Sequence, residues 1–333
     1  MRSILEDSHG RKASYMRVSV TDRCNLRCMY CAGAGDFIPH PNILRYEEIL
    51  DLMDLATRLS IEKIRFTGGE PFVRKGFADF MVEAARRFPQ LELCVTTNAT
   101  LLGDQVERLA AAGVRRINIS LDTLDPAKFA RITGRDLFGR VRESIDRCLD
   151  AGMQLKVNAV AMKGVNDHEM AAFVDLARNH PLDMRFIEFM PVGLDNGWRD
   201  SAVWKAADIL AEAEQFATLA PVDTAGIRSR GPARMYAIAG GLGRLGIISP
   251  YSNHFCDTCN RLRLTSDGKL RTCLFSDKVY RLRPALRHPR LGLDAVERII
   301  RRAGRHKPIG HQLLEAMPED QGVCRTRMAS IGG

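Results

Sequence analysis

Residues 16–31 read MRVSVTDRCNLRCMYC, an alternating apolar segment followed at once by three cysteines with the spacing Cys-x3-Cys-x2-Cys. The alternation predicts a β-strand over residues 16–21. A loop this compact gathers Cys24, Cys28 and Cys31 around one centre, and they supply three thiolates where a closed structural metal site uses four. The stretch therefore predicts a metal centre with an open position, directly after the first strand of the fold.

The chain then alternates between strand-like and helix-like patterns as far as Pro191. The predicted strands are residues 16–21, 63–67, 91–97, 116–121, 155–162 and 184–190. The predicted helices, with apolar residues every three or four positions, are residues 46–59, 78–88, 105–112, 140–151 and 168–179. A βαβ unit needs about 30 residues and an eight-unit barrel about 250. The spacing predicts an α/β fold of six parallel units, either doubly wound or curved into a partial barrel.

Polar and small residues fall at or near the C-terminal ends of these predicted strands. They are Cys24, the run 67–70 (Thr-Gly-Gly-Glu), the run 96–98 (Thr-Thr-Asn), Ser120, Asn158 and Met190. Parallel α/β folds build their binding sites at that edge of the sheet. We therefore expect one site there.

Beyond Pro191 the regular alternation stops. One helix is predicted near residues 204–214, short strands at 235–238, 246–248 and 262–265, and a basic segment at 281–305 that is helical toward its end. This change favours two regions, a barrel over residues 1–200 and a C-terminal region over residues 201–333.

A second group of three cysteines, Cys256, Cys259 and Cys273, lies in the C-terminal region. Nine cysteines, an odd number in tight groups, indicate metal binding in a reducing compartment rather than a disulfide framework. Zinc is the alternative for both groups: a knuckle with a distant fourth ligand at the first, a ribbon at the second. A ribbon would want a fourth ligand nearby, and His254 is too close in sequence to Cys256 to reach comfortably.

Composition limits the class of protein. With 45% apolar residues and no run near the roughly 18 apolar residues of a membrane span, the chain is expected to be globular and without a membrane segment. Its N-terminus carries no apolar secretory signal, so we expect a cytoplasmic protein. The formal charge of +9 indicates an anionic partner, either nucleic acid or a polyphosphate. For the total charge alone, a solvated basic surface is a sufficient explanation.

The first cysteine loop, the aromatic Tyr30 before its third cysteine and the six-unit pattern together resemble the radical S-adenosylmethionine (SAM) enzymes. The resemblance implies a [4Fe–4S] cluster on Cys24, Cys28 and Cys31, whose open iron binds the amino and carboxylate groups of SAM. An electron then splits SAM into methionine and a 5′-deoxyadenosyl radical. The run 68–71 (Gly-Gly-Glu-Pro), alone an ordinary tight turn, matches the family's SAM-binding motif. The SAM contacts that the resemblance implies are Tyr30, Gly69, Ser120 and Met190.

Further blocks resemble one branch of that family, which acts on GTP in molybdenum cofactor biosynthesis. They are residues 65–74, 95–98, 118–122, 132–134, 185–191, 256–263 and the terminal Gly-Gly. The resemblance implies a second [4Fe–4S] cluster on Cys256, Cys259 and Cys273 that faces the purine. It also implies conversion of GTP to (8S)-3′,8-cyclo-7,8-dihydro-GTP, with a catalytic tail at Gly332 and Gly333. The implied GTP contacts are Arg17, Arg65, Thr96, Lys156, Arg261 and Arg263.

The implied partners are GTP, an external electron donor and a cyclic pyranopterin monophosphate synthase that takes the product. We expect no nucleic acid, no membrane, and a monomer or homodimer. The chain departs from the family pattern at residues 32–35 and over 312–326.

Two other functions remain as alternatives. One is a radical SAM enzyme with an auxiliary cluster that acts on a peptide. The other is a zinc-containing RNA-binding protein, which leaves the first cysteine loop and the Gly-Gly-Glu-Pro run without a role. That protein would also need more stacking aromatics than the 7% present here.

Overall fold

Twelve strands form one sheet in the computed structural model, which describes residues 4–31, 37–193, 196–223, 231–317 and 323–331. The strands are β1 (Tyr15–Ser19), β2 (Lys63–Thr67), β3 (Glu92–Thr97), β4 (Arg116–Ser120), β5 (Gln154–Ala161), β6 (Asp183–Glu188), β7 (Leu219–Pro221), β8 (Arg234–Ile238), β9 (Arg244–Ile248), β10 (Arg261–Leu264), β11 (Lys269–Arg271) and β12 (Tyr280–Arg281). The six strands predicted before Pro191 are all present, and their ends lie within two residues of the predicted ones.

Helices cover the sheet. They are α1 (Tyr46–Arg58), α2 (Phe77–Arg87), α3 (Val106–Ala111), α4 (Pro126–Thr133), α5 (Phe138–Asp150), α6 (Met170–Asn179), α7 (Ala206–Glu214), α8 (Arg283–Leu286), α9 (Gly292–Arg305), α10 (Gly310–Glu315) and α11 (Met328–Ile331). The predicted helices before Pro191 correspond to α1, α2, α3, α5 and α6. No helix in the part of the chain that the structure describes is long and apolar enough to cross a bilayer.

Helix α4 was not predicted, although its ends carry clear signals. The Asp125 carboxylate accepts a hydrogen bond from the Lys128 amide at 2.9 Å, which caps the N-terminus, and Pro126 occupies the first turn. Gly134, with φ of 69°, closes the C-terminus in the left-handed conformation. The crossover between β4 and β5 therefore contains two helices instead of one.

The strand order explains how the two ends of the chain meet. Strands β1 to β6 are parallel and consecutive, β10 lies parallel beside β1, and β9 lies parallel beside β6. The C-terminal region thus extends both edges of the same sheet. Cys24 follows the end of β1, whereas Cys259 precedes the start of β10. The two cysteine groups therefore lie toward opposite ends of β1, a strand of five residues that spans about 17 Å.

Alternation along the strands separates core from interior. On β5, Leu155, Val157 and Ala159 are buried with the hydrophobic core. The residues between them, Lys156 and Asn158, line a cavity inside the curved sheet. The sheet therefore presents an apolar face to the helices and a polar face to its interior.

A smaller apolar cluster anchors the C-terminal tail. Val192, Phe275, Leu314, Cys324 and Ile331 pack together, and Val192 forms a parallel bridge with Cys324. This packing brings residues 323–331 to the cavity, where Met328 and Ala329 contribute to the lining. The predicted catalytic pair Gly332 and Gly333, and the divergent loop at 32–35, lie outside the described residues.

Candidate active site

One cavity of about 520 Å³ opens inside the sheet, and both cysteine groups line it. Every predicted site residue within the described ranges lines this cavity: Arg17, Cys24, Cys28, Tyr30, Cys31, Arg65, Gly69, Thr96, Ser120, Lys156, Met190, Cys256, Cys259, Arg261, Arg263 and Cys273. Its volume lies within the range of sites that enclose a small-molecule ligand.

Hydrogen bonds hold the first cysteine loop against its neighbours. The Tyr30 hydroxyl donates to Asp122 Oδ2 at 2.6 Å, just after the end of β4. The amides of Arg27 and Met29 donate to carbonyls of α4, so the helix that was not predicted supports the loop. Cys24 Sγ accepts a hydrogen bond from the Leu26 amide at 3.4 Å. The thiols consequently face the cavity from a supported loop.

The Gly68–Gly69 pair lies against the backbone that leads into this loop. A Cβ atom on Gly69 would lie 2.2 Å from the Arg23 carbonyl oxygen, and one on Gly68 would lie 2.3 Å from the Thr21 carbonyl oxygen. Real side chains do not come so close to backbone. Both positions therefore require glycine, because the chain entering Cys24 passes directly over them.

We expect Gly69→Ala to lose the first cluster and SAM binding, because the new methyl group would displace the backbone at Arg23. Gly139→Ala is the matched control, since a Cβ atom there meets nothing within 4 Å. It lies in α5, where alanine favours a helix by about 0.5–1 kcal/mol over glycine. Iron content and SAM affinity measure the difference. Normal values for both in Gly69→Ala would contradict the close approach.

Glu70 connects the C-terminal end of β2 to that of β3 by hydrogen bonds. Its buried carboxylate accepts hydrogen bonds from the Asn98 amide at 2.7 Å, the Thr97 hydroxyl at 2.8 Å and the Phe72 amide at 3.0 Å. Burial raises the pKa of this carboxyl to about 7 despite those bonds. Glu70 therefore orders the run from Thr97 to Asn98 beside the first cysteine loop.

The second cysteine group has its own support. The backbone amides of Gly310 and His311 hydrogen bond to the thiol of Cys256. A Cβ atom on Gly310 would lie 3.0 Å from Cys273 Sγ and 3.3 Å from Cys256 Sγ, so both sulfurs press against that glycine. Lys307 Nζ lies 3.4 Å from Cys259 Sγ. Residues 307–311 thus touch all three sulfur atoms.

Cys259 is prepared to ionise. Burial would raise the pKa of its thiol, but the charges of Arg261 and Lys307 outweigh burial and lower that pKa to about 6. A thiolate is the form of cysteine that binds metal. At neutral pH this side chain is therefore already a ligand in its binding form.

Arg11 braces the same region from the N-terminus. Its guanidinium donates to the carbonyls of Cys256 at 2.9 Å, Lys307 at 2.9 Å and Pro308 at 3.0 Å, and Asp7 holds it at 2.7 Å. No pattern in the sequence singles out Arg11 or Lys307. Both are found only because the fold brings chain segments almost 300 residues apart into contact.

The donor sets fit a group larger than one ion. A tetrahedral zinc site with bonds of about 2.3 Å holds its sulfur atoms about 3.8 Å apart. Within the described ranges, no three His, Cys, Asp or Glu side chains converge in a way that could hold a single metal ion. An iron–sulfur cluster attaches each cysteine to a different iron, so it suits three thiols that do not converge on one ion. The described residues thus offer no tetrahedral zinc site at either group.

Between the two groups runs a row of three arginines, of which Arg65 and Arg263 are buried and Arg17 is half-buried. Arg263, Arg17 and Arg65 occupy matching positions on the adjacent strands β10, β1 and β2. Burial, together with the charges of neighbouring arginines, lowers the pKa of Arg17 to about 10 and that of Arg263 to about 9. Arg65 donates to the Tyr15 hydroxyl at 2.6 Å and to the Thr96 hydroxyl at 3.3 Å. Cations concentrated in this way create a strong field for an anion.

The opposite side of the cavity adds two more cations. Lys156 lies 3.8 Å from Asp183, and Arg185 lies 2.8 Å from the same carboxylate. Burial and the charge of Arg185 lower the pKa of Lys156 to about 7. Arg185 itself was placed only within a matching block, and no role was assigned to it from the sequence.

Three buried polar atoms that line the cavity lack a hydrogen-bond partner among the described residues. They are Asn118 Oδ1, Asn158 Oδ1 and Arg185 Nε. Buried polar groups are nearly always paired in folded proteins. Their grouping in one cavity indicates that a polar ligand completes them.

The expectation that the site occupies the C-terminal ends of the strands is correct only in part. Cys24, Gly69 and Ser120 do lie at those ends. Asn158, Arg17 and Arg65 instead lie inside β5, β1 and β2, with side chains that line the interior. The site extends along the whole barrel because the second cysteine group lies at the other end.

Two family models match the chain. Residues 18–177 match the Radical SAM superfamily, and residues 182–313 match Molybdenum Cofactor Synthesis C. The GTP 3′,8-cyclase of Syntrophomonas wolfei subsp. wolfei is 42% identical over 331 residues, which cover 98% of this chain and 99% of that protein. The GTP 3′,8-cyclase of Thermodesulfovibrio yellowstonii is 43% identical over 334 residues, which cover 99% of this chain and all of that protein.

The chain belongs to the GTP 3′,8-cyclase family. The resemblance seen in the sequence motifs is thereby confirmed, as is the class of radical SAM enzyme. Membership of the radical SAM superfamily implies one [4Fe–4S] cluster and SAM as cofactors.

Solved structures confirm the fold. Streptococcus suis SuiB bound to S-adenosylmethionine superposes with a TM-score of 0.61 at 13% identity, over 97% of this chain and 78% of that one. A second structure of Streptococcus suis SuiB superposes with a TM-score of 0.60 at 14% identity, over 94% of this chain and 70% of that one. At such identities the likeness concerns the fold alone. The predicted α/β partial barrel of radical SAM type is correct.

Proposed function

We propose that this chain converts GTP to (8S)-3′,8-cyclo-7,8-dihydro-GTP, the first step of molybdenum cofactor biosynthesis. The observation that supports this most is the cavity that both cysteine groups line, with a row of arginines on adjacent strands between them. A GTP-cyclising enzyme must hold a polyphosphate nucleotide within reach of a radical source, and this arrangement meets that requirement. Both relatives named above are GTP 3′,8-cyclases, and their similarity to this chain extends over 99% of one and all of the other.

Cys24, Cys28 and Cys31 would hold the first [4Fe–4S] cluster, and Tyr30, Gly69, Ser120 and Met190 would contact SAM. When bound, the cluster and SAM supply the radical that starts the reaction. The chain itself positions them: the Tyr30 hydroxyl ties the loop to Asp122, and the glycine pair lets the backbone that leads into Cys24 pass close to the end of β2.

Arg17, Arg65, Arg261 and Arg263, with Lys156 and Thr96, would bind GTP. Guanidinium groups bind phosphate oxygens with two parallel hydrogen bonds, and their mutual repulsion falls when a triphosphate lies among them. Cys256, Cys259 and Cys273 would hold the second [4Fe–4S] cluster at the far end, facing the purine. Substrate would thus lie between the two cysteine groups.

The tail is the remaining part of the proposed machinery. Ile331 is fully buried, and Met328 and Ala329 line the cavity. Gly332 and Gly333 follow directly in the sequence, and we assign them a catalytic role. We further propose a division into residues 1–200 with the first cluster and 201–333 with the second.

The reaction consumes two electrons and one proton per turnover: one electron cleaves SAM, and one electron with the proton quenches the cyclised radical. The proposed partners are an external electron donor and a cyclic pyranopterin monophosphate synthase that takes the product. We place the enzyme in the cytoplasm as a monomer or homodimer.

The test is anaerobic incubation of reconstituted protein with SAM, dithionite and GTP. We expect equal amounts of 5′-deoxyadenosine and the cyclised nucleotide, and iron and sulfide for two clusters. Deoxyadenosine without any loss of GTP would favour the alternative peptide substrate. Colourless protein with stoichiometric zinc would exclude both enzymes and favour the RNA-binding alternative.

A further inference from the structure

Positive charge is concentrated in one surface segment that the proposed GTP site does not use. Residues 278–305 contain nine Lys or Arg and only two acidic residues, so most of the formal charge of +9 comes from this segment. Some of these cations have structural partners: Arg287 pairs with Glu48 at 2.6 Å. Lys278, Arg281 and Arg302 remain exposed on one side, and the exposed His306 lies beside them.

Those four side chains surround a groove of about 430 Å³ between β12 and α9. Val279, which is 37% exposed, and the half-buried Ile299 form its apolar centre. The described residues that line it include no Asp or Glu. An apolar centre within a charged rim is the usual anatomy of a protein-binding surface.

The groove lies directly behind the second cysteine group. His306 lines the groove, and its neighbour Lys307 points inward with Nζ 3.4 Å from Cys259 Sγ. On the other side, β12 pairs with β11, which ends two residues before Cys273. The outer surface at His306 is therefore separated from Cys259 by one peptide unit and the length of one lysine side chain.

We propose that this groove docks a small acidic one-electron carrier protein, which reduces the group held by Cys256, Cys259 and Cys273. The proposal rests on the proposed function, which needs electrons and a second cluster. The carrier loses one electron and the cluster gains it, and no atom or proton moves. Electron-transfer encounters of this kind use small interfaces and depend on charge complementarity for fast association.

The details of the groove favour a protein over RNA. Sequence-tolerant RNA binding needs exposed aromatic faces for base stacking. Tyr280 is the one aromatic residue among the described lining residues, its hydroxyl is buried, and Lys278 Nζ lies 5.6 Å above its ring. That ring face is therefore covered, while the cations around it remain exposed.

The test compares two double variants of the reconstituted enzyme. The groove variant, Arg281→Glu with Arg302→Glu, reverses the sign of two charges at the groove. The control variant, Arg87→Glu with Arg115→Glu, reverses two exposed charges outside the groove, so both variants carry the same net charge. The probe is an acidic flavodoxin in its anionic hydroquinone form, which becomes the neutral semiquinone when it gives up one electron. The rate of semiquinone appearance is followed by stopped flow, in an added Cys24→Ala background to retain only the second cluster.

At about 0.01 M ionic strength, we expect the groove variant to be reduced at least tenfold more slowly than the wild type, and the control variant at the wild-type rate. At about 1 M the Debye length falls from about 30 Å to about 3 Å, so the difference should vanish. Equal rates for both variants at low salt would overturn the docking proposal. The proposal would also fail if a single-stranded RNA 20-mer bound the wild type but not the groove variant, while both were reduced by flavodoxin at equal rates.

Dithionite separates this proposal from the proposed function, because a small reductant needs no docking. With the first cysteine loop intact, the groove variant should cyclise GTP at the wild-type rate when dithionite supplies electrons. If the wild type itself does not cyclise GTP with dithionite, the proposed function fails, whatever the flavodoxin rates are.

Discussion

Cys259→Ala is expected to remove about half of the iron and all of the GTP cyclisation, while dithionite-driven SAM cleavage continues. The reason is spatial: Cys259 lies at the opposite end of β1 from the loop that would hold the SAM-binding cluster. Loss of one thiolate from a three-cysteine site leaves too few ligands for a [4Fe–4S] cluster. Iron analysis, 5′-deoxyadenosine formation and GTP consumption measure the three effects on one preparation.

Two companion variants make the result specific. Cys24→Ala should show the reverse pattern, with SAM cleavage lost and the second cluster retained. Cys148→Ala is the control, because Cys148 is fully buried among core residues of α5 and lines no part of the cavity. Abolished SAM cleavage in Cys259→Ala, with a normal circular dichroism spectrum, would show that the two cysteine groups are not independent.

Arg263→Met is expected to lower kcat/KM for GTP by about 30-fold or more and yet to raise the thermal stability of the protein without GTP. Arg263 is buried beside Arg17, and burial together with the charge of Arg17 depresses its pKa to about 9. Truncation of one partner in a buried charged contact costs about 2–5 kcal/mol of binding, and about 1.4 kcal/mol is a factor of ten. The lowered pKa means that the folded protein disfavours the charged form of Arg263, so an apolar side chain of similar volume removes that cost.

A melting curve and steady-state kinetics check the two signs together. The control is Arg115→Met, which removes an exposed arginine outside the cavity and should change neither quantity. Iron content should stay at two clusters in both variants. A variant at Arg263 that uses GTP as well as the wild type would remove this residue from the substrate site.

Local signals in the sequence explain which parts of the fold were predictable. Strand β2 was predicted with its observed ends because Lys63 to Thr67 is a short β-branched run between helical patterns. Helix α4 has only eight residues, too few to display a clear apolar period, and its capping residues went unrecognised. Strands β11 and β12, with three and two residues, carry no detectable pattern.

The site residues that could be predicted are those that belong to short motifs with a fixed spacing in the sequence. The cysteine groups and the Gly-Gly-Glu-Pro run are local motifs, so their residues could be named in advance. Lys307 and Arg11 act through contacts that span the chain, and Asn118 is notable only because its buried oxygen has no partner among the described residues. Such features depend on the pairing of β10 with β1, which joins residues about 245 positions apart.

The pairing of β10 with β1 also constrains the length of the cavity along β1. The separation of the two cysteine groups depends on the length of β1, because they lie toward its opposite ends, and β1 is held in register with β2 on one side and β10 on the other. A single inserted residue would turn every later side chain of the strand to the opposite face. The gap could lengthen only by matched insertions in three strands at once. Molecules that must touch both ends are therefore selected by their length, and point substitutions cannot relax that selection.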